Sequence, residues 1–178
     1  VLLDHFGHNL GIIISASHNP SEYNGIKLID ENGSKLQDEI EIEIEANIEN
    51  ISLPSAHTSH KESEKGFKVY FEFLNQILDF DLTNFDLLID SANGSAYKII
   101  DELLKDNDSK FKMIANEPNG ENINLASGAT HTENLIKNLK KGEIGAAFDG
   151  DADRLIMVDE NGITCNGDVL ILLIAKYL

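Results

Sequence analysis

The chain contains very little cysteine and no long hydrophobic run. Cys165 is its only cysteine, so a disulfide framework is excluded and a reducing cytoplasm is the expected location. The apolar run at residues 169–175 is far shorter than the roughly 20 residues that a membrane-spanning helix needs. Residues 1–14 are interrupted by charged residues and histidines and therefore do not resemble a signal peptide.

Positive charge is also scarce. Lysine and arginine number 14 against 31 aspartates and glutamates, which gives a formal net charge of −17. Such a balance repels nucleic acid and anionic membranes, so neither is an expected partner. The sequence has no G-x-S-x-G elbow and no Walker A motif, which argues against a serine hydrolase and a P-loop nucleotide site.

Short apolar runs alternate with amphipathic segments from residue 85 onward. The apolar runs predict buried strands and the amphipathic segments predict helices. This alternation predicts an α/β fold, in which mixed sheets are layered with helices and the loops gather at the strand ends. The predicted strands are residues 85–90, 111–115, 144–148 and 155–158, and the predicted helices are residues 95–105 and 132–141.

The first part of the chain predicts two strands around a polar loop. Residues 11–15 form a β-branched run, which predicts a strand buried on both faces. Residues 16–25 are mostly turn formers, and residues 26–29 restart a strand. A polar loop between strands is a common place for functional residues.

Two helices are predicted in the next part of the chain. Residues 39–45 alternate glutamate with isoleucine, as an exposed strand would, but glutamate favours helices and the apolar residues also recur every four positions. An aromatic stripe within residues 61–78 predicts a second helix whose aromatic side chains pack in the core. The apolar stripe of the first helix consists of Leu36, Ile40, Ile44 and Ile48.

Three carboxylates follow the predicted strand 144–148 at alternate positions: Asp149, Asp151 and Asp153. Alternate residues of an extended chain point the same way, and Gly150 allows the backbone to bend so that the carboxylates converge. Converging carboxylates repel one another unless a hard divalent cation lies between them. Arg154, next to the cluster, strengthens the metal interpretation over that of a solvated turn.

Two other kinds of acidic loop have a similar pattern of aspartates. A calcium EF-hand requires glycine where the chain has Arg154, and it lies between helices rather than strands, so this interpretation fails. An aspartyl-phosphate phosphatase also presents Asp-x-Asp after a buried strand, with the first aspartate, here Asp149, as nucleophile. Such enzymes usually have threonine or valine where the chain has Asp153, so the phosphatase stays a less favoured alternative.

Ser17 lies in the polar loop after the first strand. A serine in that position is either a nucleophile or a turn former, and taken alone the turn former is favoured. His18, taken alone, is more typical of a surface residue than of a base. Spacing assigns neither of them a catalytic partner.

Several motifs together resemble the α-D-phosphohexomutase superfamily. They are S-A-S-H-N-P at residues 15–20, N-G-I-K at residues 24–27 and D-G-D-A-D-R at residues 149–154. Within that superfamily, residues 90–97, 117–124 and 127–131 are similar to the bacterial phosphoglucosamine mutase branch. These branch motifs lie in loops that are not expected to touch the chemistry.

The resemblance implies specific roles for the residues in these motifs. Ser17 would carry a phosphoryl group and, as phosphoserine, would bind Mg²⁺ together with Asp149, Asp151 and Asp153. The other catalytic residues would lie beside the phosphate and are His18, Lys27 and Arg154.

The resemblance also implies a reaction. Glucosamine 6-phosphate and glucosamine 1-phosphate would be interconverted through a bisphosphorylated sugar, for use in peptidoglycan precursor synthesis. Full-length members of the branch would be candidates for homodimers. Alternatives are a phosphomannomutase or phosphoglucomutase of the same superfamily and a non-catalytic metal-binding fragment.

The resemblance further predicts the domain organisation. Residues 1–50 would end a first domain that contains the phosphoserine loop, residues 51–60 would be a linker, residues 61–165 would form a second α/β domain with the metal loop, and residues 166–178 would begin a third. The sugar-reading and phosphate-clamping loops of such enzymes have no counterpart in the sequence. We therefore expect a fragment that binds metal but turns over little sugar phosphate.

Overall fold

The fold is described from a computed structural model, which describes residues 1–48, 50–51, 64–78 and 81–178. The predicted linker therefore lies outside the described residues, except for Ile51. The chain divides into two compact units. The first consists of Val1–Ile14 and Ile26–Ile77, and the second consists of Ser15–Gly25 and Leu78–Leu178.

The first unit has a two-stranded sheet and three described helices. The Ile/Glu segment is a helix, which confirms that the four-residue spacing of its isoleucines outweighs their alternation with glutamate. In chain order the elements are α1 (Leu2–Phe6), β1 (Leu10–Ser15), β2 (Gly25–Asp30), α2 (Asp38–Ile48) and α3 (Glu64–Ile77).

The prediction that strand β1 is buried on both faces is wrong. Ile12 is 61% exposed and Ile14 is 70% exposed, whereas Gly11 is half-buried. Leu3 of α1 lies over Gly11, but no described element of this unit covers Ile12 and Ile14. A strand in a two-stranded sheet is buried only where another element packs on it, and the sequence of the strand alone does not report that packing.

The aromatic stripe on α3 is only partly buried. Phe67 and Phe71 are half-buried, but Tyr70 is 41% exposed and Ile77 is 60% exposed. The interpretation of this stripe as core packing therefore holds for its inner half only.

The second unit contains a five-stranded mixed sheet in the order β4-β3-β5-β6-β7. Strand β3 pairs in parallel with β4 and β5, and β6 runs antiparallel to β5 and β7. The predicted strands and helices of this part are confirmed, with shifts of a few residues at their ends. They are β3 (Asp86–Asp90), α4 (Tyr97–Asp106), β4 (Lys110–Ile114), α5 (Glu133–Asn138), β5 (Glu143–Phe148) and β6 (Leu155–Val158). The unit also contains β7 (Thr164–Cys165) and α6 (Gly167–Tyr177).

Both faces of this sheet are covered, because successive residues of a strand point to opposite sides. Helix α5 packs on one face and helix α4 on the other. This double burial explains why the central strands are almost continuously apolar. One core cluster contains Leu88, Leu135, Ala147 and Val158, and the other contains Leu87, Ile89 and Ala146.

The topology brings the carboxyl ends of strands β3 and β5 to one edge of the sheet. Parallel strands β3 and β5 are in register from Asp86 opposite Glu143 to Asp90 opposite Ala147, so their carboxyl ends lie at the same edge. Asp149 follows β5 directly at that edge. None of the helices in the described part of the chain combines the length and apolar character that a bilayer crossing requires.

Candidate active site

The three predicted carboxylates come together after strand β5. Asp149, Asp151 and Asp153 each offer an oxygen atom, and these atoms lie within 4.8 Å of one another. A tight turn brings them together rather than an extended segment, because the Ala152 amide donates to the Asp149 carbonyl at 3.0 Å. The left-handed residue of this turn is Ala152, with φ 59°, and not Gly150.

Asp149 is the buried member of the cluster, with an exposed fraction of 1%. Burial raises the pKa of its carboxyl group, and the neighbouring charges of Asp151 and Asp153 raise it further. The Arg154 amide opposes this shift by donating to Asp149 Oδ1 at 3.2 Å. The Arg154 guanidinium is more distant, with Nε 3.8 Å from Asp149 Oδ2, and its side chain is 51% exposed.

The loop that contains Ser17 belongs to the same unit. Ser17 Oγ donates to Asp149 Oδ2 at 3.3 Å and lies 3.4 Å from His18 Nδ1. Ser15 makes a second link, because its Oγ donates to Asp151 Oδ2 at 2.8 Å and accepts from the Ser17 amide at 2.9 Å. Two serines thus join this loop to the acidic turn.

The two loops also touch through their backbones. The Gly150 amide donates to the Ser17 carbonyl at 3.1 Å. A Cβ atom on Gly150 would lie 2.4 Å from that carbonyl oxygen and 2.7 Å from Ile123 Cδ1, distances that a side chain does not tolerate. Position 150 therefore requires glycine because of this close approach.

A third loop, residues 116–127, reaches the same place. The Asn124 amide group donates to the Ser17 carbonyl at 2.7 Å and to the Asn19 carbonyl at 2.9 Å. Asn124 is 7% exposed and lies in one of the branch motifs. The branch motifs were not expected to touch the chemistry, and Asn124 contacts the backbone of the Ser17 loop rather than its hydroxyl.

The structure brings most of the predicted site residues together within the second unit. Ser17 lies within 4 Å of both His18 and Asp149. The Arg154 guanidinium lies within 4 Å of Asp149 and Asp153. Lys27 is on β2 and belongs to the first unit, so its predicted role stays a prediction.

Two residues of the site were not predicted. Ser15 alternates with Ser17 along the chain, and this spacing was an available signal. Asn124 lies 107 residues from Ser17, and no local pattern links the two.

Comparison with protein families gives matches to both parts of the chain. Residues 1–55 match domain I and residues 68–162 match domain II of phosphoglucomutase/phosphomannomutase, each described as an alpha/beta/alpha domain. The chain is 43% identical over 181 residues to the phosphoglucosamine mutase of Clostridium tetani (strain Massachusetts / E88). That match covers 97% of this chain but 40% of the relative, so the chain spans about two fifths of the length of the curated relatives.

Solved structures agree on the fold. A protein of Thermus thermophilus assigned as a phosphomannomutase superposes with a TM-score of 0.83 at 23% identity, covering 98% of this chain and 42% of that one. N-acetylphosphoglucosamine mutase of Aspergillus fumigatus, solved with GlcNAc-6P and magnesium, gives a TM-score of 0.55 at 18% identity, covering 88% of this chain and 45% of that one. The match to domain II alone covers residues 68–162, which is more than half of the chain. The chain therefore belongs to the phosphoglucomutase/phosphomannomutase family.

Proposed function

We propose that this chain is part of a phosphoglucosamine mutase, which interconverts glucosamine 6-phosphate and glucosamine 1-phosphate. The observation that carries the proposal is the hydrogen bond from the Ser17 hydroxyl to Asp149 of the acidic turn. It joins a candidate phosphoryl carrier to a candidate metal ligand. The 43% identity to the Clostridium tetani phosphoglucosamine mutase supports this choice of substrate.

The donor set of the acidic turn fits a hard divalent cation. Carboxylate oxygens are the ligands that Mg²⁺ and Ca²⁺ prefer, and oxygens on opposite sides of such an ion are about 4 to 5 Å apart. The oxygen atoms of Asp149, Asp151 and Asp153 are within 4.8 Å of one another, which suits this size. We assign the ion as Mg²⁺, which would polarise phosphoryl oxygens and offset their charge.

Charge makes the cation necessary when Ser17 is phosphorylated. A phosphoserine adds about −1.5 to −2 charges beside three carboxylates. Two like unit charges 4 Å apart at an effective dielectric constant near 20 repel by about 4 kcal/mol. Arg154 brings a single positive charge within 4 Å of the acidic turn, which does not balance the carboxylates and the phosphate together. A divalent cation held by Asp149, Asp151 and Asp153 would supply the further positive charge that the phosphorylated loop needs to stay against the acidic turn.

Each half-reaction exchanges one P–O bond for another. The bond between phosphorus and Ser17 Oγ breaks as a bond forms to a sugar hydroxyl, which gives the bisphosphorylated sugar. In net terms the proton of that hydroxyl ends on Ser17 Oγ, which donates to Asp149 Oδ2 in the structure. The sugar then reorients, and the reverse exchange returns the other phosphoryl group to Ser17.

The remaining roles follow the same proposal. The Arg154 guanidinium and His18, whose Nδ1 is 3.4 Å from Ser17 Oγ, contact the phosphoryl group, and Lys27 contributes a further cation. A cytosolic location and a glucosamine phosphate partner belong to this proposal as well. Because the chain spans about 40% of its curated relatives, we expect the 178 residues alone to bind Mg²⁺ and to turn over little sugar phosphate.

Phosphopeptide mapping of the full-length protein that carries this sequence tests the proposal. After incubation with glucosamine 1,6-bisphosphate and Mg²⁺, we expect close to one phosphate per chain on Ser17 and none on the Ser17→Ala variant. Absence of phosphate from Ser17 would overturn the mutase. No label is expected on Asp149, and a hydroxylamine-sensitive aspartyl-phosphate there would favour a phosphatase instead.

Substrate choice needs a separate measurement. Rates with glucosamine, glucose and mannose 6-phosphates are compared in the same full-length protein. We expect glucosamine 6-phosphate to give the highest kcat/KM. A preference for glucose or mannose 6-phosphate would move the protein to another branch of the family.

A further inference from the structure

We propose that Asn124 is a positioning residue that fixes the Ser17 loop against the acidic turn. This inference rests on the proposed function and adds to it a residue whose side-chain hydrogen bonds go to the loop backbone, and not to the Ser17 hydroxyl or to the carboxylates of the acidic turn. Asn124 acts through the backbone of the loop, because both of its hydrogen bonds end on carbonyl oxygens, those of Ser17 and Asn19.

Both donor hydrogens of the Asn124 amide are engaged by this loop. The bonds are 2.7 Å and 2.9 Å long, and the residue is only 7% exposed. Rotating the amide by 180° would place its oxygen against two carbonyl oxygens, so the two acceptors fix its orientation. The Ser17 carbonyl also accepts from the Gly150 amide at 3.1 Å. One carbonyl thus ties the Ser17 loop to two other loops.

The backbone of Asn124 is itself held in place. Its φ is 57°, a left-handed conformation that asparagine adopts more readily than most residues. Its backbone N–H donates to the carbonyl of Ala92 at 2.8 Å, two residues after the end of strand β3. The side chain therefore projects from a fixed point on the sheet edge, so that it can position a neighbouring loop.

The loop needs such a constraint for two reasons. Ser17 has a φ of 50°, which is unfavourable for serine and persists only when neighbouring contacts stabilise it. Phosphorylation of Ser17 would also add repulsion from the acidic turn. Hydrogen bonds from a neutral amide to the loop backbone oppose both effects without changing the charge of the site.

The experiment compares Asn124→Gly with a matched control from the same loop. Glycine keeps the left-handed backbone and removes the amide. Asn122→Ala is the control, because the Asn122 side chain bonds only within its own loop, to the Glu117 carbonyl and the Asn119 amide. Amide hydrogen exchange of Gly150 is measured by NMR in the 178-residue chain, since its N–H bonds to Ser17.

We expect Asn124→Gly to speed exchange of the Gly150 amide at least tenfold and to leave Mg²⁺ affinity within threefold. In the full-length protein we expect kcat to fall about 10- to 100-fold, as for other small misplacements of reacting groups, with KM nearly unchanged. Asn122→Ala should change none of these values by more than threefold. If Asn124→Gly does not fold, Asn124→Ala, which removes both donors without adding a charge, takes its place.

The results separate two failures. An unchanged Gly150 exchange rate and an unchanged kcat in Asn124→Gly would overturn the positioning role while leaving the mutase intact. A parallel loss of exchange protection and of Mg²⁺ affinity in both variants would show a general structural role and would also overturn it. A wild-type protein that never carries phosphate on Ser17 would instead refute the proposed function, whatever the exchange data show.

Discussion

Strand β5 has a buried carboxylate at each end, and the two have opposite electrostatic environments. Glu143 begins the strand and is 7% exposed, whereas Asp149 follows its last residue and is 1% exposed. Lys112 Nζ lies 2.5 Å from Glu143 Oε1, and this hydrogen bond, with that of the Lys140 amide, lowers the pKa of Glu143. Burial and the neighbouring aspartates raise the pKa of Asp149 instead.

The difference is that between a buried carboxylate whose charge is compensated within the fold and one whose charge is not. At Glu143 the protein itself supplies the compensating charge, so nothing further is needed. At Asp149 the nearby cation is the guanidinium of Arg154, which is 3.8 Å away and half exposed. This single charge does not offset the charge of three carboxylates. A buried carboxylate without full compensation is where a bound cation gains most.

The largest effect is expected from Asp149→Asn. Loss of a group that only orients a metal ligand weakens metal binding by about 10- to 100-fold. Loss of the buried carboxylate ligand itself should therefore weaken Mg²⁺ binding by about 100-fold or more. Without metal, the variant should be as stable as the wild type or more stable, because a buried charge near two others is removed. Isothermal titration calorimetry and urea unfolding measure the two quantities.

Asp151→Asn provides a second test of the same cluster. Asp151 offers one of the three clustered carboxylate oxygens, so its loss should weaken Mg²⁺ binding as well. Unchanged Mg²⁺ affinity in either variant would remove that aspartate from the ligand set. A strong loss of metal-free stability in Asp149→Asn would contradict the contrast between the two ends of β5.

A smaller effect, on stability rather than on metal binding, is expected from Glu143→Gln. The glutamine loses the charged hydrogen bond with Lys112, and we expect a loss of about 1–3 kcal/mol in the free energy of unfolding. The lower part of that range is favoured, because the Lys112 side chain is 56% exposed and solvent screens the pair. Mg²⁺ affinity should stay within twofold of the wild type, and a larger change would mean that the two ends of the strand are coupled.

Local sequence patterns predicted most of the helices and strands because those patterns report burial within one segment. The apolar runs of β3 and β5 and the spacing of isoleucines on α2 each place a helix or strand within a few residues. Patterns within one segment do not report what another segment covers. The exposure of Ile12 and Ile14 on β1 was missed for this reason.

The site was predictable in part for the same physical reasons. Converging carboxylates at residues 149–153 followed from their spacing, but the tight turn and the left-handed Ala152 did not, because alanine gives no signal of positive φ. The pairing of Ser17 with the acidic turn came from the family resemblance rather than from spacing. Asn124 was missed because its bonds to the Ser17 loop span more than 100 residues, and only the folded chain brings them together.

The smallest effect is expected from Asp90→Asn, which tests whether burial without acidic neighbours raises the pKa of a carboxyl group. Asp90, at the end of β3, is completely buried. Burial raises the pKa of its carboxyl group, and the amides of Gly128 and Ala92 partly oppose this shift. Because the folded-state pKa lies above the unfolded one, the stabilising contribution is complete below the unfolded value near 3.8 and is lost as the pH rises through the folded pKa.

Urea unfolding of the wild type and Asp90→Asn between pH 4 and pH 7 therefore gives a difference that depends on pH. The variant should gain stability relative to the wild type as the pH rises, by about 1.4 kcal/mol for each unit of the pKa shift. Glu143→Gln should behave in the opposite way and at lower pH, because the lowered pKa of Glu143 makes its contribution complete above the ordinary value of 4.5 and lost as the pH falls below it. A constant difference for Asp90→Asn across this range would mean that burial alone does not raise a carboxylate pKa at this edge of the sheet, and the shift at Asp149 would then have to come from its acidic neighbours.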